Sequence, residues 1–226
     1  MNYIQIIIYV LLGFTPGLAW LLFFLRQDKK RPEPIGMLWR AFIWGMIITF
    51  PAVIIEYALL ESIKPLILNQ ILLNILAAFL IIAPAEEILK YFVFKYRIFK
   101  AKVYDEPIDA MIYMITIAMG FASVENIILV LRNLDDPWKI LILRFLSATL
   151  VHALAGGIIG FYLGKVKQKK VWKTCTVAMG IFYAIIFHGA YDAIILWQSD
   201  LVILAIAGLL VFVSVLVSWQ FKILKT

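Results

Sequence analysis

Six side chains in this sequence have types and spacings suited to moving protons at a reacting carbonyl: Glu86, Glu87, Glu125, His152, His188 and Asp192. Two of the acids are adjacent in "IIAPAEEILKYFV", one turn before Lys90. A carboxylate enclosed in a dry pocket can take a proton from water and return it to a leaving amine. An imidazole, or a carboxylic acid held neutral, can donate to a developing oxyanion. The same groups are hard or borderline ligands for a divalent metal such as zinc. Other hydrolytic signatures are missing: there is no HExxH zinc motif and no G-x-S-x-G elbow. Ser123, Ser147 and Thr149 lie near the acids in sequence, but no Ser/His/Asp order stands out. Cys175 falls at the end of an apolar run, away from the acids, which argues against a thiol nucleophile. "HALAGGIIG" has glycines but no phosphate-loop lysine.

The local spacings predict that these groups point inward. His188 and Asp192 are four residues apart and share one helix face. Ala148, His152, Gly156 and Gly160 form a stripe of small residues around a histidine, which permits close helix approach. Glu86 and Lys90 are in the favourable order for an ion pair. Glu86 and Glu87 differ by about 100° around a helix, so they meet different surroundings. Pro84 cannot donate to the carbonyl of Leu80, which predicts a bend beside the acids. Each feature has a plainer reading: a buried salt bridge for Glu86–Lys90, an interhelical tie for His188–Asp192, packing for His152. Their concurrence in four separate apolar runs favours function, because ionisable groups are costly in a bilayer.

The elements that must position them are membrane spans. The chain has 226 residues, of which 64% are hydrophobic and 15% charged. A soluble domain is nearer half apolar and a quarter charged. Seven apolar runs reach the roughly 20 residues needed to cross a bilayer, at about 3–25, 36–60, 66–94, 107–131, 139–164, 173–197 and 200–222. The expected fold is therefore an all-α, polytopic transmembrane bundle, one integral-membrane domain over 1–226 in the cell membrane. The third run is long, which predicts a tilt or an emerging aromatic, basic stem. The N-terminus lacks a basic n-region and stays apolar too long for a cleaved signal peptide.

The net charge of +7 sits in short loops between apolar runs, a topology signal that argues against nucleic acid as a partner. Basic residues concentrate in the first loop (Arg26, Lys29, Lys30, Arg31), the third (Lys95, Arg97, Lys100, Lys102), the fifth (Lys165, Lys167, Lys169, Lys170, Lys173) and the tail. The positive-inside rule places these in the cytoplasm and the N-terminus outside. Trp20, Trp39, Trp138, Trp172, Trp197 and Trp219 fall near run ends, as interfacial anchors. Arg40, Glu56, Lys139 and Arg144 lie close enough to run ends to snorkel, which predicts structural roles. Counting about 1.5 Å per residue from the cytoplasmic ends puts Glu86, His152 and His188 at a common depth near mid-bilayer, with Glu125 about a turn nearer the outer face.

With those residues in place, the sequence resembles the PrsW-type intramembrane proteases, relatives of the CAAX prenyl proteases and bacteriocin-immunity proteins. "EEILK" resembles the EExxK motif (Glu86, Glu87, Lys90), and "FASVEN" the FxxxEN motif (Phe121, Glu125, Asn126). "HALAGGIIG" and "HGAYD" resemble the third and fourth motifs (His152, His188, Asp192), and "RPEP" at 31–34 an N-terminal feature. The resemblance covers most of the chain. It implies a peptidase that cuts membrane-anchored proteins, an anti-sigma factor among them. By analogy with the prenyl proteases, Glu86 is the general base while His188 and Asp192 support the oxyanion. Glu125 stands where those enzymes have histidine and Asp192 where they often have asparagine, and an ionised Asp192 cannot donate. Two mechanisms therefore stay open: a metal-free one, and one with a divalent metal such as zinc held by Glu86 or Glu87, Glu125, His152 and His188. Two rival functions also follow from intramembrane acids and histidines: a proton-coupled carrier, and a non-catalytic binding or immunity protein of the same fold.

Overall fold

The computed structural model describes residues 3–28, 31–169, 174–197 and 201–225, and no strand occurs among them. Among the described residues, seven helical segments are long and apolar enough to cross a membrane. The first two spans are α1 (Tyr3–Leu25) and α2 (Ile35–Ile63). The third is composite: α3 (Gln70–Leu76), a π-helical stretch over Ala77–Ile82, α4 (Ala83–Val93) and a second π-helical stretch over Phe94–Ile98. The fourth is α5 (Asp109–Arg132). The fifth divides into α6 (Pro137–Leu146) and α7 (Ala148–Gln168). The last two are α8 (Thr174–Leu196) and α9 (Val202–Leu224).

The predicted bend at Pro84 takes a specific form. Without an N–H, Pro84 cannot continue the α-ladder, and the preceding six residues wind as a π-helix, with the Ala83 N–H bonded to Ala78 O. The wider turn ends at Ile82, about one helical turn before Glu86. The expected aromatic, basic stem is the π-helical "FKYRI" that closes this span, where the Arg97 guanidinium lies 3.9 Å from the Trp44 ring centroid.

The fifth span departs from the continuous helix expected over 139–164. Ser147 leaves helical geometry (φ −130°, ψ −90°) and separates α6 from α7. Its hydroxyl donates to Leu143 O at 2.6 Å and accepts from the Tyr191 hydroxyl at 3.0 Å, so the break is held by hydrogen bonds. Pro137 at the first turn and the Asp136 side chain, which accepts from the Lys139 N–H at 3.2 Å, start α6 afresh.

Two helices form the core. Almost every residue of α5 from Asp109 to Asn126 is buried, as is most of α7. A helix apolar on all sides belongs inside a bundle, and α5 packs against α1, α2 and α7, while α7 also packs against α8 and α9. Glycines allow this closeness: a side chain at Gly120 would meet the Phe42 backbone, one at Gly45 the Ile117 carbonyl, and one at Gly160 the Met111 backbone. The outer helices expose apolar rows such as Ile4, Ile7 and Leu11, or Phe50, Ile54 and Tyr57, which suits contact with lipid.

The ends of the spans gather as alternating crossings require. Arg31 pairs with Asp105 at 3.6 Å and Glu106 at 3.3 Å, and the Lys225 ammonium donates to Gln27 at 3.1 Å. Lys167 donates to the carbonyl of Tyr104. The first and third loops, the start of the fifth and the C-terminal residues thus share one end of the bundle. Trp39, Trp138, Trp197 and Trp219 are exposed. Trp20 turns inward instead: its indole donates to Phe145 O at 2.8 Å and stacks on Phe145. Trp172, Lys29, Lys30, Lys170 and Lys173 lie outside the described residues.

Candidate active site

The π-to-α transition before Pro84 presents Glu86, Glu87 and Lys90 on the buried face of α4, and all three are at least 98% buried. Their spacing gives the expected ion pair and a second one. Lys90 Nζ lies 3.0 Å from Glu86 Oε2 and 2.8 Å from Glu87 Oε1. It also lies 3.0 Å from His152 Nδ1 and sits 4.3 Å from the Phe121 ring centroid. One ammonium therefore serves two carboxylates, an imidazole and an aromatic face, a high density of compensation for a cation removed from water.

The two histidines come from α7 and α8 and meet edge to face, ring centroids 4.9 Å apart. His188 Nδ1 lies 2.8 Å from Glu87 Oε1 and 3.9 Å from Glu86 Oε2. Its other nitrogen faces Asp192 Oδ2 at 3.6 Å, along the helix face that the spacing predicts. His152 bridges the site: Nδ1 faces Lys90 and Glu86, and Nε2 lies 2.6 Å from Glu125 Oε2. Four helices thus bring every residue of the acid and histidine set into one continuous cluster.

Adjacent positions Glu86 and Glu87 do have different environments. Glu87 Oε1 is bonded on two sides, by Lys90 and His188, while Glu87 Oε2 is buried without a hydrogen-bond partner. Glu86 shares Lys90 and approaches both imidazoles, at 3.5 and 3.9 Å. Exposure rises across the cluster: the side chains of Glu86 and Glu87 are 3% and 0% exposed, those of Asp192 and Glu125 18% and 23%. The Asp192–Glu125 edge is where the cluster opens.

Arg144, expected from its place near a run end to snorkel, joins the cluster instead. The helix break at Ser147 turns α6 so that Arg144 Nη2 meets Glu125 Oε2 at 3.1 Å, while its Nε donates to Asn126 Oδ1. Asn126 in turn donates to Gly13 O at 3.3 Å and pairs with Thr149, tying α1, α5, α6 and α7 together. Glu56 on α2 is also expected to snorkel; its Oε1 is buried without a hydrogen-bond partner, and it feels the charges of Glu125, Lys90, His188 and Asp192. A length-based count of span ends hides both residues. The hydroxyls of Ser123, Ser147 and Thr149 bond to Met119 O, Leu143 O and Asn126 rather than to a histidine, so none of these three is primed as a nucleophile.

Glu86, Glu87, His152 and His188 each offer a ligand atom within 4.8 Å of the others, all buried. Two imidazoles and two carboxylates are a donor set that zinc accepts, and the unpartnered oxygen of Glu87 leaves a lone pair for a cation. Glu125, expected among such ligands, is not in this group; it holds the far nitrogen of His152 and anchors it to Arg144. That contact is the usual position of an outer carboxylate that fixes a ligand imidazole.

Comparison with known proteins agrees with this architecture. Residues 33–219 match the model of the PrsW family, described as intramembrane metalloproteases. "Protease PrsW" of Geobacillus kaustophilus is 32% identical over 188 residues, covering 81% of this chain and 78% of that protein. The proteins of the same name from Oceanobacillus iheyensis and Bacillus subtilis are 32% and 30% identical, covering 81% and 83% of this chain and 80% and 83% of their own. No solved structure matches the chain. A bundle of membrane-spanning helices with an acid and histidine cluster at its centre, matched over this length, belongs to the PrsW family of intramembrane metalloproteases and is a multi-pass membrane protease.

Proposed function

We propose that the cluster of Glu86, Glu87, His152 and His188 is the catalytic centre, and that it hydrolyses a peptide bond in a membrane-anchored protein. The observation that carries this reading is the convergence of both carboxylates and both imidazoles within 4.8 Å in a buried setting, with Asp192 and Glu125 as its more exposed edge. A scissile carbonyl and a water reach the acids from that edge. Glu86, less tightly bonded than Glu87, is placed to take the proton from water and pass it to the leaving amine. Glu87 orients His188 through Nδ1, leaving Nε2 directed toward the opening beside Asp192. With no metal bound, a protonated His188 there donates to the oxyanion, and Asp192 holds its charge. Glu125 and Arg144 keep His152 in one tautomer and orientation.

A divalent ion such as zinc would be held by Glu86 or Glu87 with His152 and His188, and would supply Lewis-acid polarisation of water or of the carbonyl. Lys90 now lies among these donors, so an ion would share their lone pairs with the ammonium. The positive-inside pattern supports placing the end with Arg31, Asp105 and Lys167 in the cytoplasm, which puts the N-terminus outside and the C-terminus inside. The family resemblance makes a membrane-anchored regulator of the anti-sigma-factor type the first substrate to try.

The test uses untagged protein purified in detergent, a substrate with one membrane anchor, and mass spectrometry of the products. Cleavage that stops on chelation and returns with zinc is the expected result. Cleavage that persists after complete removal of metal would leave the glutamate-only mechanism in its place. An intact substrate with well-folded protein would count against the substrate class.

A further inference from the structure

A second acid cluster lies at the end of the bundle where the first and third loops meet. Asp28 and Glu33 come from the loop between α1 and α2, and Asp109 from the first turn of α5. Each offers an oxygen within 4.8 Å of the others, and all three residues are more than nine-tenths buried. Three like charges buried together repel one another unless something compensates them.

Local bonds compensate only part of this charge. Asp109 Oδ2 accepts the N–H groups of Asp105 at 2.9 Å and Glu106 at 2.6 Å, and the Tyr113 hydroxyl donates to Glu33 Oε2. The other Asp109 oxygen, Oδ1, and Asp28 Oδ2 are buried with no hydrogen-bond partner. The Arg31 backbone hydrogen-bonds Asp28, while its guanidinium is engaged by Asp105 and Glu106. Lys225 exerts an opposing charge on Asp28 and also donates to Gln27 at 3.1 Å. Burial pushes the Glu33 carboxyl up to about 8, against the pull of the Tyr113 hydrogen bond and with a further rise from the hydrogen bond and charge of Asp109. A cavity of about 980 Å³ reaches Asp28, and its charged lining is mixed: Asp28, Asp105 and Glu106 with Arg26, Arg31 and Lys225.

We propose that Asp28, Glu33 and Asp109 bind a hard divalent cation of the calcium or magnesium class. The donors are all oxygen, with no imidazole or thiolate, which selects such ions over zinc. Two unpartnered buried oxygens on two different segments supply lone pairs that a cation satisfies and a helix cap does not. Bound there, the ion clamps the loop after α1 to the start of α5, the helix that carries Glu125 and Asn126 at its other end.

The experiment measures thermal unfolding in detergent at mildly alkaline pH. The protein is stripped with a chelator, the chelator is removed, and calcium chloride and magnesium chloride are titrated in separately. One of the two should raise the midpoint saturably by several degrees. Asp28→Asn and Glu33→Gln should each remove the rise; Asp28 is a loop residue, so its variant is not expected to prevent folding. Glu86→Gln, in the catalytic cluster, should keep it. Wild-type protein indifferent to both ions would overturn the proposal and leave a shared proton as the neutraliser. A rise that survives in Asp28→Asn and Glu33→Gln, or vanishes in Glu86→Gln, would overturn it by placing the ion elsewhere.

Discussion

Lys90 Nζ stands 2.8–3.0 Å from Glu86, Glu87 and His152 with no exposure to solvent, so Lys90→Met leaves two buried carboxylates without their cation. Removing one partner of a buried pair costs about 3–5 kcal/mol. Lys90→Met should accordingly lower unfolding stability in detergent by about that amount, and a midpoint equal to wild type would contradict the ammonium's role. Arg144→Ala removes a hydrogen bond between charged groups, worth about 1.5–3 kcal/mol, and releases Glu125 from its anchor. Cleavage should fall about tenfold or more, with partial recovery in Arg144→Lys; unaltered rates would show that His152 needs no such support. Sequence spacing makes the contacts within a helix legible, as with Glu86–Lys90 and His188–Asp192, because i, i+4 geometry is local. Contacts between helices, such as Glu125–His152, depend on rotation and depth, which the sequence indicates only through the shared level of the charged residues. Arg144 was missed because its direction depends on the break at Ser147, which no Pro or Gly announces.

The third span shows how an element sets the site. Its π-helical stretch before Pro84 widens the backbone and fixes the rotation at which Glu86 and Glu87 emerge. Each residue gained or lost in register turns the following side chains by about 100°. Pro84→Ala restores a donor and lets the ladder run in α geometry, swinging the acid pair away from His152 and His188. The expected result is loss of cleavage with unchanged helical circular dichroism; full activity would show that the proline and the wide turn are dispensable. That a bend belonged here was legible from Pro84 alone, but its form was not. The proline removes one donor, and the choice between kink and π-turn rests on packing against α8, where Gly189 leaves room for Phe79.

At the scale of the whole chain, seven apolar runs were enough to read a membrane bundle, because bilayer thickness fixes span length. What they could not show is which spans are central. α5 and α7 are distinguished by glycines at backbone crossings and by burial on every side, features that only the packed molecule reveals. A fluorescent reporter that folds only in the cytoplasm, fused after residue 226, should light up; a dark but full-length fusion would reverse the topology. The catalytic assignment itself rests on cleavage of a membrane-anchored substrate by purified wild-type protein beside Glu86→Gln, Glu87→Gln and His188→Ala. All three variants should keep the helical content of wild type and lose at least about a hundredfold in rate. Wild-type rates in all three would mean that the buried acids and imidazoles hold the bundle together and the chemistry happens elsewhere.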